Sequence, residues 1–323
     1  MAVSRAHSTD VDTVDISVIV PTYRRLHELR SCLESLAPGK QTLCSRRYEV
    51  VVADDNPDDG IREQVQPSYP WARWHRGAGS HPLGPGANRN SAARVARGTW
   101  LAFIDDDCVA DHCWLDSITG TACHADVDII EGRVSCPEKP DRALIHFVEN
   151  LAGGKYWTCN LTVRTSSFRK VGGFDERFRC GEDTDLAIRL LRSGARAKFA
   201  DDVKVEHPYS PIGPLTYVHR LFRAERWNTC LMVKHDYSID RLGWVGLPHV
   251  SLHLMLDRCR GLWHLLSQPE SCRRRQFRRE LWQTVLYPAL FLCQLYWWFA
   301  FSKAVGGSVL QPAPTGALKT DDY

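Results

Sequence analysis

The 323-residue chain has no C-x-x-C pair, although it contains 12 cysteines. Its closest cysteines, Cys108 and Cys113, lack the spacing of a zinc knuckle, so the sequence does not indicate a structural zinc site of that kind. The first 15 residues are polar and lack the apolar run of a secretory signal. These absences favour a reduced, cytoplasmic setting.

The chain also lacks a strong net charge. Its 41 basic and 38 acidic residues give a formal charge of +3, which excludes the global basic field typical of nucleic-acid-binding proteins. Hydrophobic residues make up 44% and charged residues 24%, as in an ordinary globular chain. The length suffices for one large domain with an appended segment.

Short apolar runs alternate with helical patterns along the first 200 residues. Residues 16–20 form a β-branched run, and apolar residues then recur at helical spacing over residues 26–36. Residues 87–96 predict a further helix, and residues 100–104 a further strand. The alternation predicts a doubly wound α/β sheet that is mixed but mostly parallel. Ligands bind such sheets beyond the carboxyl ends of the strands.

The chain is expected to divide near Pro214, where prolines and a glycine cluster. We expect a disordered N-terminus over residues 1–11, an α/β domain over 12–214, and a helical, basic and aromatic region over 215–323.

Residues 281–302 are apolar, and five arginines lie between positions 273 and 279 just before them. As a helix, these roughly 22 uncharged residues would cover about 33 Å, close to the hydrocarbon thickness of a bilayer. A spanning helix, an interfacial helix and a buried core helix all remain open. Because basic residues beside an apolar run attract anionic lipid, we expect membrane association rather than a merely solvated helix face.

Two acidic features are candidates for chemistry. Asp105, Asp106 and Asp107 close an apolar strand, and hard cations such as Mg²⁺ or Mn²⁺ prefer carboxylate oxygens and share their shell with substrate phosphates. Glu182 and Asp183 open a predicted helix, where a carboxylate can act as an N-cap or as a general base. Taken alone, each feature also fits an ordinary acidic turn or cap.

The ordered set of motifs is more specific than any of its members. It comprises Val18-Ile19-Val20-Pro21-Thr22-Tyr23-Arg24-Arg25, Val50-Val51-Val52-Ala53-Asp54-Asp55, Gly86-Ala87-Asn88-Arg89-Asn90, Phe103-Ile104-Asp105-Asp106-Asp107, Gly172-Gly173-Phe174-Asp175-Glu176 and Gly181-Glu182-Asp183. In this order the chain resembles a family 2 glycosyltransferase of the GT-A fold, over about residues 15 to 235.

The resemblance implies a donor site at the strand ends. Pro21 and Tyr23 match residues that contact the nucleotide base, and Asp55 matches the carboxylate that hydrogen-bonds the base or its ribose. Asp105 and Asp106 belong to the donor side as well. The chain departs from the family's usual D-D-G-S, because Asn56 and Pro57 follow Asp55, and Arg24 stands where Asn is common.

The resemblance also implies a metal and a base. Asp107 matches the residue that holds Mg²⁺ or Mn²⁺ on the donor diphosphate, and His207 is either a further metal ligand or a structural histidine. Asp183 matches the catalytic base of inverting members, with Glu182 beside it on the acceptor side. Arg226 and Trp227 resemble the Q-x-x-R-W element of processive members, where they would lie on the acceptor side. An amphipathic face packing on the domain explains that pair equally well.

The expected activity is inverting transfer of a sugar from a UDP-, GDP- or dTDP-linked donor to a hydroxyl acceptor. The expected location on the cytoplasmic face of the membrane favours a lipid-linked or cell-envelope acceptor, and hence a role in polysaccharide biosynthesis. No nucleic-acid partner is expected. A sugar nucleotidyltransferase and a non-catalytic nucleotide-binding scaffold at a membrane remain as alternatives, although the first would be expected to have a Gly-rich phosphate loop after the first strand.

Overall fold

The computed structural model describes residues 14–79, 82–137, 145–211 and 213–235. The chain separates into two compact units. The first comprises Met1–Pro137, Val148–Glu176 and Glu182–Pro208, and the second comprises Glu138–Phe147, Arg177–Gly181 and Tyr209–Tyr323. The expectations of a disordered N-terminus and of a membrane-associated segment over residues 281–302 lie outside the described residues.

The first unit alternates strands and helices. Its strands are β1 (Ile16–Thr22), β2 (Tyr48–Asp54), β3 (Arg73–His75), β4 (Trp100–Phe103), β5 (Val109–Ala110), β6 (Ile129–Ser135), β8 (Leu161–Arg164) and β9 (Ala197–Glu206). Its helices are α1 (Leu26–Leu36), α2 (Gly60–Val65), α3 (Pro85–Val95), α4 (Trp114–His124), α5 (Thr165–Lys170) and α6 (Glu182–Arg192).

The eight strands form one sheet in the order β3-β2-β1-β4-β8-β6-β9-β5. The half made of β3, β2, β1 and β4 is parallel. Strand β8 runs antiparallel to both β4 and β6, β9 is parallel to β6, and β5 is antiparallel to β9. The predicted mixed α/β sheet is therefore confirmed. All pairs among β3, β2, β1 and β4 are parallel, whereas the other half of the sheet is mixed.

Helices cover both faces of the sheet at β1, β2 and β4, so these strands are buried at nearly every position. Along β1 the side chains alternate between two buried clusters: Val18 packs with Leu29 and Leu33 of α1, whereas Ile19 packs with Ala92 of α3. The two clusters hold the carboxyl ends of β1, β2 and β4 side by side. The residues that follow those ends form the candidate site.

The second unit contains the antiparallel pair β7 (Ile145–His146) and β10 (Ser210–Pro211), followed by α7 (Pro214–Lys234). Helix α7 begins at a proline, a residue whose fixed φ suits the first helical turn. Phe178, Cys230 and Leu231 form its buried cluster, and Trp227 packs against them. In the part of the chain that the structure describes, no helix combines the length and apolar character needed to cross a membrane.

Candidate active site

Three consecutive carboxylates follow β4. Asp106 is buried, and its Oδ1 accepts a hydrogen bond of 3.0 Å from Nη1 of Arg25. Neither Asp106 Oδ2 nor Oγ1 of nearby Thr22 has a well-formed hydrogen bond among the described residues. Burial raises the pKa of Asp106 to about 7; Asp107 and Asp105 add to the shift and Arg25 opposes it. A buried carboxylate oxygen of this kind is suited to a cation or a ligand hydroxyl.

Asp107 and His207 come together although 100 residues separate them in sequence. His207 Nε2 lies 3.5 Å from Asp107 Oδ1, and Arg25 Nη1 lies 2.5 Å from Asp107 Oδ2. His207 Nδ1 is 2.9 Å from the carbonyl oxygen of Pro208, which can only accept a hydrogen bond. Nδ1 therefore carries the proton, and in the neutral ring Nε2 presents its lone pair, the state in which histidine binds metals.

Arg89 of α3 links two of the acidic features. Its guanidinium is buried and donates to Asp105 Oδ1 at 2.5 Å and to Glu182 Oε1 at 2.8 Å. Burial opposes the charge of Arg89, but the two carboxylates outweigh it and raise the arginine pKa. The triad ties the end of β4 to the start of α6.

Asp183 lies in the first turn of α6, where its Oδ1 accepts the backbone N–H of Thr184 at 2.7 Å. Desolvation raises the pKa of Asp183 to about 7, and the neighbouring Glu182 carboxylate adds to the shift. A carboxylate with a pKa near neutrality is suited to accept a proton from a substrate.

The loops after β1 and β2 are joined through Asn56. Its Oδ1 accepts the backbone N–H of Arg24 at 2.8 Å, and Arg24 adopts a φ of 56°. The Asn56 amide also donates to Asp54 Oδ1 at 2.8 Å. The residue that departs from the family's usual glycine thus holds two strand ends together through its side chain.

The remaining predicted donor residues lie at or just after the carboxyl ends of β1 and β2. Pro21 lies within β1, and Tyr23 follows it with the Arg24 guanidinium 5.1 Å from its ring centroid. The Asp55 carboxylate accepts backbone N–H groups of Leu83 at 2.6 Å and Gly84 at 2.9 Å, so here it orders the turn before α3. Its contact with a nucleotide stays a prediction.

The structure brings the predicted acidic residues and His207 together in the first unit. Arg226 and Trp227 lie in the second unit, where the Trp227 ring centroid is 5.6 Å from that of Phe178 and the Arg226 guanidinium lies 5.3 Å from the centroid of Trp227. Trp227 thus packs within the second unit, and both the packing of this pair on the α/β domain and its acceptor role stay predictions.

Comparison with known proteins identifies the family. Residues 17–169 match the family model for glycosyl transferase family 2. The chain carries a glycosyltransferase family 2 domain over residues 17–169. Residues 138–211 of this glycosyltransferase also match the model described as the N-terminal domain of galactosyltransferase.

Among curated proteins, the glycosyltransferase resembles AglE of Haloferax volcanii, with 29% identity over 238 residues that cover 70% of this chain and 77% of AglE. It spans about half the length of other curated relatives, including the pre-mycofactocin glycosyltransferase and the validoxylamine A glucosyltransferase.

Solved structures share its fold. The mannosyltransferase PcManGT of Pyrobaculum calidifontis, in complex with GDP-Man and Mn²⁺, has a TM-score of 0.59 at 15% identity and covers 89% of this chain and 87% of its own. Residues 1–349 of S. aureus TarS, in complex with UDP-GlcNAc, have a TM-score of 0.56 at 16% identity, covering 91% and 92%. At these identities the likeness shows the fold alone.

Two contacts of this glycosyltransferase were missed by sequence reasoning. One is the buried Arg89 triad. The other is Asn90, whose amide exchanges two hydrogen bonds of 2.9 Å with the backbone of Phe174 and so fixes the Gly-Gly-Phe-Asp turn. Both residues belong to the Gly86–Asn90 motif. The motif marked them as candidates, but the sequence did not show which distant residues they contact.

Proposed function

We propose that this glycosyltransferase moves a sugar from a nucleoside-diphosphate donor to a hydroxyl acceptor with inversion, assisted by Mg²⁺ or Mn²⁺. One observation carries the proposal: the first unit holds both a candidate metal-binding pair and a candidate general base. Asp107 faces His207 at 3.5 Å, and Asp183, with its raised pKa, stands beside the Arg89–Glu182 pair.

The donor set fits a divalent cation. A carboxylate oxygen and an imidazole nitrogen face each other, and the buried Asp106 Oδ2 adds a second carboxylate oxygen nearby in sequence. Asp107 and His207 would hold the ion, which when bound would neutralise charge on the leaving diphosphate. The crystallised neighbour that holds GDP-Man together with Mn²⁺ supports this assignment.

Asp183 accepts the proton of the acceptor hydroxyl at a carboxylate oxygen. Its raised pKa lets it hold that proton near neutral pH, while Arg89 holds the adjacent Glu182 in place through a hydrogen bond of 2.8 Å. A base acting on the face of the sugar opposite the leaving diphosphate inverts the anomeric centre. Glu182 therefore acts as a positioning residue for the start of α6.

The donor nucleotide binds at the carboxyl ends of β1 and β2, where Pro21, Tyr23 and Asp55 lie. The neighbours' complexes with GDP-Man and UDP-GlcNAc support a nucleotide sugar without selecting one base. We also propose a lipid-linked or cell-envelope acceptor at the cytoplasmic face of the membrane, which the basic and apolar sequence of residues 273–302 supports.

The binding step is tested by calorimetric titration with UDP, GDP and dTDP, each with and without Mn²⁺. One nucleotide should bind in a Mn²⁺-dependent manner, and Asp107→Ala should lose that binding. Asp116→Ala, which removes an exposed carboxylate of α4, is the matched control and should bind like the wild type. Absence of binding to all three nucleotides would refute the proposal.

The chemical step is tested with Asp183→Asn. This change should lower the rate of transfer by about 10²- to 10⁴-fold while nucleotide affinity stays within about twofold, because it removes only the proton acceptor. NMR of the wild-type product should show the anomer opposite to that of the donor. Unchanged turnover in Asp183→Asn, or retention of configuration, would contradict the assigned mechanism.

A further inference from the structure

A buried thiol adjoins the Asp107–His207 pair. Cys108 has 0% of its surface exposed, and its Sγ lies 3.9 Å from Asp107 Oδ1. His207 Nε2 approaches the same oxygen to 3.5 Å. The three potential ligand atoms all lie within 4.8 Å of one another. Oxygen, nitrogen and sulfur donors therefore converge on one point, and the sequence motifs give the sulfur no role.

The separations match those between the ligands of a tetrahedral zinc ion. Bond lengths of about 2.3 Å to sulfur and about 2.1 Å to nitrogen and oxygen place tetrahedral ligands about 3.6 Å apart for S···O and about 3.4 Å for N···O. The observed distances of 3.9 Å and 3.5 Å exceed these by only a few tenths of an ångström. Small side-chain shifts would close the difference.

We propose that Asp107, Cys108 and His207 form a site for a thiophilic divalent cation such as Zn²⁺, which competes with Mg²⁺ or Mn²⁺ for Asp107 and His207. Binding forms a bond from Sγ to the metal and releases the thiol proton to solvent. Mg²⁺ and Mn²⁺ prefer oxygen ligands, whereas thiophilic cations such as Zn²⁺ also bind sulfur. The Cys108 thiol therefore favours Zn²⁺ over Mg²⁺ or Mn²⁺ at this site. With three protein ligands, a fourth position stays open to water or a substrate oxygen.

The test uses the full chain without nucleotide, with Co²⁺ as a spectroscopic substitute for Zn²⁺. Wild-type protein should develop a thiolate-to-cobalt charge-transfer band in the near ultraviolet, and Zn²⁺ should abolish it. Both Cys108→Ser and Cys108→Ala should lack the band, because each removes the thiol. The selectivity for Zn²⁺ over Mn²⁺ in calorimetric competition should fall by about 100-fold in both variants. Thermal melting of each variant establishes that it is folded.

Two other cysteines supply the controls. Cys113 belongs to a more exposed group with Asp111 and His112, so Cys113→Ser should keep the Cys108 band. Cys159 is buried like Cys108 but lies outside both groups, and Cys159→Ala should behave as the wild type. A wild type without the band, or a band that survives Cys108→Ser and disappears in Cys113→Ser, would overturn the proposal.

The competition with Mg²⁺ or Mn²⁺ rests on the proposed function, but the two can fail separately. A charge-transfer band that depends on Cys108 in a protein that binds no nucleotide would support the thiophilic site and refute the donor site. Mn²⁺-dependent nucleotide binding in a protein without the band would do the reverse.

Discussion

Replacing Arg89 by methionine tests whether the buried triad holds the site together. Methionine retains much of the arginine stem and removes the charge, so Asp105 and Glu182 lose the cation between them. Removing one partner of a buried ion pair costs about 3–5 kcal/mol of stability. The Glu182 side chain is 9% exposed but that of Asp105 is 28% exposed, so solvent relieves part of the penalty.

We therefore expect a loss near the lower limit, about 3 kcal/mol, in the free energy of unfolding. For a domain of this size the loss corresponds to a fall in melting temperature of about 6–12 °C. The penalty comes from carboxylates left partly buried without their cation, so neutralising one of them should reduce it.

The assay is thermal melting of wild type and variant at pH 7. Arg94→Met provides the matched control, since Arg94 lies on the same helix, is 66% exposed and pairs with Glu176 at 3.6 Å. The free energy of unfolding of Arg94→Met should fall by less than about 1 kcal/mol. Adding Glu182→Gln to Arg89→Met should restore part of the stability, because it removes the uncompensated charge. Equal melting shifts for the two arginine variants would refute this reasoning.

Three further predictions follow from single groups. Because Asp183 must be ionised to accept a proton and its pKa is raised to about 7, turnover should rise about tenfold per pH unit below that value and level off above it, as pH–rate profiles would show. Burial opposes ionisation of Glu49, but hydrogen bonds and the charges of Arg73 and Arg97 lower its pKa overall. Glu49→Gln should therefore cost about 1–3 kcal/mol at pH 7 in chemical denaturation, and the difference should narrow at acid pH as the wild-type carboxylate protonates. Gly173→Ala should destabilise the fold by at least about 1 kcal/mol in the same assay, because Gly173 has a φ of +73° and an added Cβ would lie 2.5 Å from an amide oxygen.

Local patterns were enough to predict several elements of the first unit. The apolar spacing over residues 26–36 matches α1 (Leu26–Leu36), and the β-branched run after position 16 matches the start of β1. Strand ends could also be predicted to gather the acidic residues, because carboxyl ends of parallel strands meet at one edge. Helix α4 (Trp114–His124) was not predicted, since its β-branched residues and Gly120 weaken the local helical signal.

The missed part of the site consists of contacts between distant segments. A charged residue within a helical pattern normally faces solvent, so Arg89 gives no local sign of being 5% exposed. Its partners lie 16 and 93 residues away, and only the packing of α3 against the end of β4 and the start of α6 brings them within reach. The same holds for Asp107 and His207, whose pairing depends on the register of β5 and β9.

The charges of the site explain why metal and donor are expected to bind together. The site contains five carboxyl groups, those of Asp105, Asp106, Asp107, Glu182 and Asp183. Among the described residues, the first four form ion pairs with only two guanidinium groups, those of Arg25 and Arg89, and Asp107 also lies beside His207. The raised pKa values of Asp106 and Asp183 express this excess of acidic groups, in addition to desolvation. A diphosphate alone would enter a region of like charge and be repelled. A divalent cation on Asp107 and His207 reverses the local sign, so nucleotide affinity should depend on the metal, and by linkage the nucleotide should strengthen metal binding by the same factor.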